Sequence, residues 1–155
     1  MSLESARAHL AEHGRADDVI ITEDPAATVA LAALALGVEP GRIAKTIALR
    51  TADPDTCVLV VAAGDVKIDG ASYKAAFGRK AQMLRPEDVE RLTGHPVGGV
   101  CPFANPPGAT VYIDESLRGY ETVFPACGTP ESAIELTPAD LETVGHAAGW
   151  VAVTR

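Results

Sequence analysis

The chain is poor in the residues that usually announce a chemistry. It has three cysteines, Cys57, Cys101 and Cys127, an odd number without CxxC spacing. That excludes a disulfide framework and a paired-thiol zinc site, and a reduced, cytoplasmic setting is the simplest expectation. The four histidines, His9, His13, His95 and His146, read as ordinary residues without a metal-ligand signature, so no metal and no cofactor is expected. The longest apolar run, Val29 to Val38, has ten residues, about half of a bilayer span, so no membrane association is expected. Met1 to Arg7 has no basic start followed by an apolar core, so no secretory signal is expected.

Positive charge is also scarce. The net charge of −8 argues against a general nucleic-acid coat. Between residues 67 and 91, however, six basic side chains stand against four acidic ones. Within this basic island Lys74, Arg79 and Lys80 cluster around the end of one expected helix. They are the candidate contacts to an RNA end, and a solvated helix face explains the same charges equally well.

What the chain does have is 47% hydrophobic residues, enough for one packed domain covering residues 1–155. Leu3 to His13 reads as a helix closed by Gly14. Val19 to Ile21 reads as a short strand. A further helix starts at Asp24-Pro25 or Thr28 and ends at Gly37. This second helix has no charge from Ala26 to Leu36, so it is either buried on all sides or faces another subunit, which makes residues 26–36 the candidate surface for a homodimer. Lys45 to Arg50 and Cys57 to Ala62 read as central strands joined by an Asp53-Pro54-Asp55 turn. Asp69 caps a helix to Phe77, and Pro86 opens another that runs to about Leu92. Gln82 to Leu84, Val111 to Ile113, Glu121 to Phe124, Ala133 to Leu136 and Val151 to Val153 are shorter strands, with a helix starting at Thr137-Pro138. Without strict βαβ alternation, this order predicts an α/β domain with a mixed, largely antiparallel sheet.

The most informative stretch is Leu92 to Phe103, where three glycines and two prolines fall within twelve residues. It cannot form a regular helix or central strand and specifies a fixed, sharply turned loop. Gly98 and Gly99 let a ligand approach bare backbone, and Pro102 sets the exit direction. The other informative stretch is Arg42 to Leu49, an apolar strand with Lys45 near its start. On position alone Lys45 would snorkel to solvent.

Taken together, Lys45-Thr46 and the Thr93-Gly94…Gly98-Gly99-Val100-Cys101-Pro102 loop resemble the YbaK family of aminoacyl-tRNA deacylases. That family is related to the editing insertion domain of bacterial prolyl-tRNA synthetase. Asp24-Pro25-Ala26, Leu36-Gly37-Val38, Val111 to Asp114 and Ile134 to Leu141 extend the resemblance over nearly the whole chain from about residue 20. It implies a curved, barrel-like sheet flanked by helices. It also makes Lys45 the family's essential lysine, placed to hold the acceptor end or stabilise charge at the scissile ester. By the same resemblance Thr46, Gly98, Gly99, Val100, Cys101, Pro102 and Gly128 shape the aminoacyl pocket. The partners implied are the acceptor end of an aminoacyl-tRNA and a prolyl-tRNA synthetase.

The expected activity is hydrolysis, in trans, of the ester between a small mischarged amino acid and tRNA, with tRNA for proline the leading case. The alternatives are a non-catalytic tRNA- or synthetase-binding module, and a hydrolase of small molecules that uses Cys101 with His95 and Asp114. In one respect the chain departs from the cysteinyl-tRNA deacylase branch. That branch carries a serine and an aspartate where this chain has Ala126 and Ala133, with Glu131 and Ser132 adjacent in a shifted register.

Overall fold

The structure, a computed structural model, describes residues 2–155. Helix α1 (Ser2–Ala11) buries Ala6 and Leu10, which stand four residues apart on one face. Strand β1 (Ile20–Ile21) leads to helix α2 (Val29–Leu36). The Thr28 hydroxyl accepts the Leu31 N–H at the start of α2, and Gly37 ends it in the left-handed conformation, φ 68°. Strands β2 (Ile43–Arg50) and β3 (Cys57–Ala63) form the longest ladder, which is antiparallel and pairs Lys45 with Ala62. Helix α3 (Gly70–Phe77) is capped by Asp69, which accepts from Ser72 N–H, and α4 (Pro86–Thr93) opens on its proline. Strand β4 (Ala109–Asp114), the short strands β5 (Phe124–Pro125) and β6 (Ser132–Ala133), helix α5 (Pro138–Val144) and strand β7 (Gly149–Val151) complete the chain.

The main sheet runs β5-β2-β3-β4-β7, and β1 pairs β6 in a second, two-stranded sheet. The mixed sheet expected from the sequence is present. Within the five-stranded sheet β2–β3 is antiparallel and the other three pairings are parallel. The remaining antiparallel character lies in β1–β6 and in isolated bridges such as Val123↔Leu136 and Ala126↔Ala133. The parallel share follows from the long connections: residues 64–108 carry α3 and α4 between β3 and β4, the crossover a parallel pair requires.

Strand β3 is buried on both faces, as its unbroken apolar run implied. Leu59, Val61 and Ala63 join the principal core, whereas Val60 packs with Leu49, Tyr73 and Val153 beneath α3. The expected strands 121–124 and 133–136 contract to β5, β6 and bridges. Pro125 offers no N–H to extend the β5 ladder. The last strand also ends earlier than expected, because Val153 N–H donates to Asp114 Oδ1 (2.9 Å). Helix α2 is not buried on all sides. Ala33 faces inward against Ile43 and Phe124, while Leu34 is 80% exposed. Among the described residues no helix is long and apolar enough to cross a membrane.

Candidate functional site

The site arises from an interruption along one edge of β2. Strand β5 pairs with that edge at Ile43 and Ala44. Residues 82–84 pair with it further on, where Leu84 N–H donates to Ala48 O (3.0 Å), Arg50 N–H donates to Gln82 O (2.7 Å) and Leu49 bridges Met83. Among the described residues no strand or bridge covers the edge from Lys45 to Ile47. Backbone groups of alternate residues point the same way along a strand, so Thr46 presents its N–H and C=O to the interruption, as Ala48 and Arg50 do on either side of residues 82–84. The Thr46 hydroxyl is buried with no hydrogen-bond partner. Leaving such a group unpaired costs about 1–3 kcal/mol, a penalty that a ligand donor or acceptor would remove.

A cavity of about 280 Å³ fills this interruption. Its floor is β2 from Ile43 to Ala48, its roof the inner face of α2 with Val29, Ala32 and Leu36. Val97, Gly98 and Val100, and the adjoining Ala126, Thr129, Pro130, Ser132 and Ala133, complete the wall. Lys45 is the one charged residue in this wall, which contains no carboxylate and no histidine. The Lys45 ammonium donates to the carbonyls of Gly64 (3.3 Å) and Val66. An ammonium has three protons, so one donor remains for a ligand. Burial lowers the Lys45 pKa, nearby Asp65 works against that shift and Lys67 adds to it.

The glycine-rich loop is fixed from behind. Thr93 Oγ1 donates to Val89 O (2.7 Å), and the Asn105 amide donates to Thr93 O (2.8 Å) and Cys101 O (2.9 Å). His95 is fully buried and donates from Nε2 to Phe103 O (2.6 Å), which leaves Nδ1 to accept from Ser2 Oγ (2.5 Å). Gly98, with φ 91°, needs its glycine and faces the cavity; a Cβ there would meet Pro130 at 3.3 Å. Gly99 points the other way. A Cβ on Gly99 would lie 2.4 Å from Gly128 O, and one on Gly128 would lie 2.5 Å from Ser2 O. The two glycines therefore let the 95–102 loop, the 127–131 turn and α1 stack backbone to backbone.

The aminoacyl-tRNA editing domain family matches residues 23–144. The chain belongs to that family. It is 46% identical over 155 residues to the uncharacterized protein YwhH of Bacillus subtilis (strain 168), covering all of this chain and 98% of that one. Its fold superposes on the crystal structure of a proposed trans-editing enzyme for prolyl tRNA synthetase with a TM-score of 0.88 and 27% identity, covering 99% of this chain and 97% of the other. The hypothetical protein APE2540 matches with a TM-score of 0.78 and 29% identity over 94% of this chain and 99% of its own.

In this editing domain the cavity brings together Lys45, Thr46, Gly98 and Val100 of the residues singled out in the sequence. Gly99, Cys101, Pro102 and Gly128 stand outside its lining. Cys101 is fully buried, with Sγ 3.3 Å from His95 Nε2, and Pro102 packs toward Gly145. The geometry does not support a cysteine nucleophile. Burial pushes the Cys101 thiol up to about 12, the neighbouring His95 nitrogen carries a proton for Phe103 O, and burial lowers the His95 pKa. Asp114 is committed elsewhere, to Ser116 N–H, Val153 N–H and Thr154 Oγ1.

Ala126 and Ala133 both line the cavity and add apolar surface beside Thr129 and Ser132. The Ser132 hydroxyl accepts from Cys127 N–H (3.2 Å) and Thr129 Oγ1 (2.8 Å), so it holds the turn, and Glu131 is not in the wall. Lys74 and Lys80 are exposed at and beyond α3, whereas Arg79 is half-buried with Nε unpaired. His9, His13 and His146 converge away from this cavity, with one nitrogen from each within 4.8 Å of the others. The available signal was the four-residue spacing of His9 and His13; the third ring lies more than 130 positions further on.

Proposed function

We propose that this editing domain is a trans-acting deacylase that hydrolyses the ester joining a small mischarged amino acid to tRNA, with tRNA for proline its leading substrate. The observation that carries the reading is the cavity's inventory: one ammonium, one unpartnered hydroxyl at an open strand edge, the Thr28, Thr129 and Ser132 hydroxyls already bonded within the protein, and otherwise apolar side chains and backbone. An apolar pocket of about 280 Å³ suits a small aminoacyl side chain. The lone Lys45 ammonium suits the phosphate or ribose of the acceptor end. Thr46 and the main chain at Gly98 orient the aminoacyl carbonyl and amine.

In the reaction, water adds to the ester carbonyl carbon, and the bond from that carbon to the ribose oxygen breaks. A proton ends on the ribose oxygen, which leaves as a hydroxyl. The vicinal ribose hydroxyl helps to activate the water, so the wall needs no carboxylate or imidazole. Positioning by the loop and β2 edge supplies much of the rate. Lys45 stabilises the negative charge that develops. Gly99, Cys101, Pro102 and Gly128 act one layer back, by holding Gly98 and Val100 in place.

Lys74, Arg79 and Lys80 carry the RNA phosphates away from the reacting end, and a prolyl-tRNA synthetase is the proposed supplier of the mischarged tRNA. The exposed face of α2, with Leu31 and Leu34, pairs two copies of the chain. The deciding experiment measures deacylation of a panel of mischarged tRNAs by the wild-type chain and by Lys45→Ala. Turnover of one or a few small aminoacyl-tRNAs that collapses in a folded Lys45→Ala supports the reading. Turnover of none, with tRNA still bound, overturns it in favour of a non-catalytic binding module.

A further inference from the structure

We infer that His9, His13 and His146 form a binding site for a divalent transition-metal ion that prefers nitrogen ligands, with zinc the reference case. His9 lies in the last turn of α1, and His13 in the turn that follows it. His146 follows α5 and adopts a left-handed backbone, φ 50°, uncommon for a residue with a side chain. That bend brings its ring over the end of α1, with ring centroids 4.9 Å from His9 and 5.3 Å from His13.

Two of the three rings already stand at ligand spacing, and the third is within 4.8 Å. His13 Nε2 and His146 Nε2 stand 3.2 Å apart. Two nitrogens bound to zinc at about 2.0–2.1 Å in a tetrahedron are separated by roughly 3.3 Å, so this pair already forms one edge of the polyhedron. His9 is the third member. Its Nδ1 accepts from Ala104 N–H (2.9 Å), so its proton lies on Nε2, directed at Val144 O (2.6 Å). His13 and His146 therefore bind first, and His9 joins by giving up that hydrogen-bond pair. A cavity of about 310 Å³ lined by His9, His146 and Asn105 adjoins the cluster and leaves room for a bound water. A metal here ties α1 to the end of α5. Because Ser2 at the other end of α1 supports His95 and Gly128, the clasp also braces the back of the glycine-rich loop.

The test is calorimetric titration of the untagged full chain with zinc chloride, before and after chelation. Thermal melting is measured in parallel, and visible absorption is recorded with cobalt(II) in place of zinc. The expected result is one ion per chain and a melting temperature raised by about 5 °C or more at a hundredfold excess over Kd. The cobalt bands should lack thiolate charge transfer. His146→Asn keeps the left-handed turn, since asparagine tolerates that conformation, and should weaken binding about tenfold or more. Adding His13→Ala should abolish it. The absence of saturable one-to-one binding in the wild type, equal affinity in a folded His146→Asn, or a thiolate band would each overturn the assignment.

Discussion

Replacing Gly99 with alanine tests whether the loop is held by backbone contact. The added Cβ would sit 2.4 Å from Gly128 O, 2.6 Å from Gly128 C and 2.8 Å from Thr129 N. All three are main-chain atoms, so no side chain can swing aside. Ordinary carbon–oxygen contact begins near 3.3 Å, so the two loops must separate by about 1 Å. The 127–131 turn cannot retreat freely, because Gly128 is packed so closely on Ser2 that a Cβ on it would lie 2.5 Å from Ser2 O. The 97–100 segment moves instead, and Gly98 and Val100 are cavity wall. Overpacking of this kind costs about 1–3 kcal/mol, which lowers the melting temperature by roughly 2–10 °C for a chain of this size. A displacement of about 1 Å in a positioning element costs about a hundredfold in rate. Single-turnover deacylation and scanning calorimetry on the same preparation separate the two effects. Gly70→Ala is the control: a Cβ there meets nothing within 4 Å, and the residue opens α3. It should be neutral or slightly stabilising. Wild-type rate and melting temperature in Gly99→Ala would refute the backbone-packing argument.

Further outcomes follow from the same geometry. Lys45→Ala should reduce deacylation about a hundredfold or more with little change in melting, read by turnover against circular dichroism. Because burial lowers the Lys45 pKa, the protonated form that serves the reaction is lost as pH rises through a value below the usual lysine range. The pH–rate profile should therefore fall earlier on the alkaline side than an exposed lysine would predict. The sign for stability is opposite: the folded state binds fewer protons than the unfolded one between those two pKa values, so this group's contribution to stability rises with pH across that window. Cys101→Ala should retain substantial turnover, and alkylating reagents should react slowly with the folded chain, measured by mass spectrometry; complete loss in a folded variant would restore the cysteine mechanism. Lys74→Ala with Lys80→Ala should weaken use of full-length tRNA and flatten its salt dependence while sparing an aminoacyl-adenosine, and equal loss on both substrates would move the RNA surface elsewhere. Leu34→Asp should leave a monomer by light scattering if α2 pairs two copies, since Leu34 is 80% exposed in the single chain.

The local rules worked where one residue type dominates a position. Thr28, Asp69 and Thr137 cap the helices they were expected to start, and Gly37, Gly78 and Gly94 end helices with positive φ. They worked less well where pairing depends on the rest of the fold. The strands expected at 121–124 and 133–136 have the right composition, but Pro125 between their pairing positions offers no N–H, and bridges replace ladders. Helix α2 could not be assigned from its sequence alone. An uncharged helix reads the same whether it is buried or half open, and the structure leaves it half open over a cavity.

The site divides along the same line. Lys45 and the glycine-rich loop stood out because each carries an unusual residue for its place, whereas Thr46, ordinary in a strand, was singled out only through the family resemblance. The interruption in the β2 edge was not, since it is made by what fails to pair: β5 stops at Pro125, and residues 82–84 start only opposite Ala48. That interruption gives the loop its purpose. An edge with open main-chain groups beside a buried, unpartnered threonine hydroxyl is costly in an empty fold and favourable once a polar ligand is seated. On the proposed deacylase reading, the mostly apolar walls would read the aminoacyl side chain by size, and the β2 edge would read the atoms that every aminoacyl ester shares. That reading predicts that discrimination among amino acids falls on the alanines at 126 and 133 and on Val97 and Val100, not on Lys45. Enlarging Ala133 should shift which esters are cleaved, whereas changing Lys45 should slow them all.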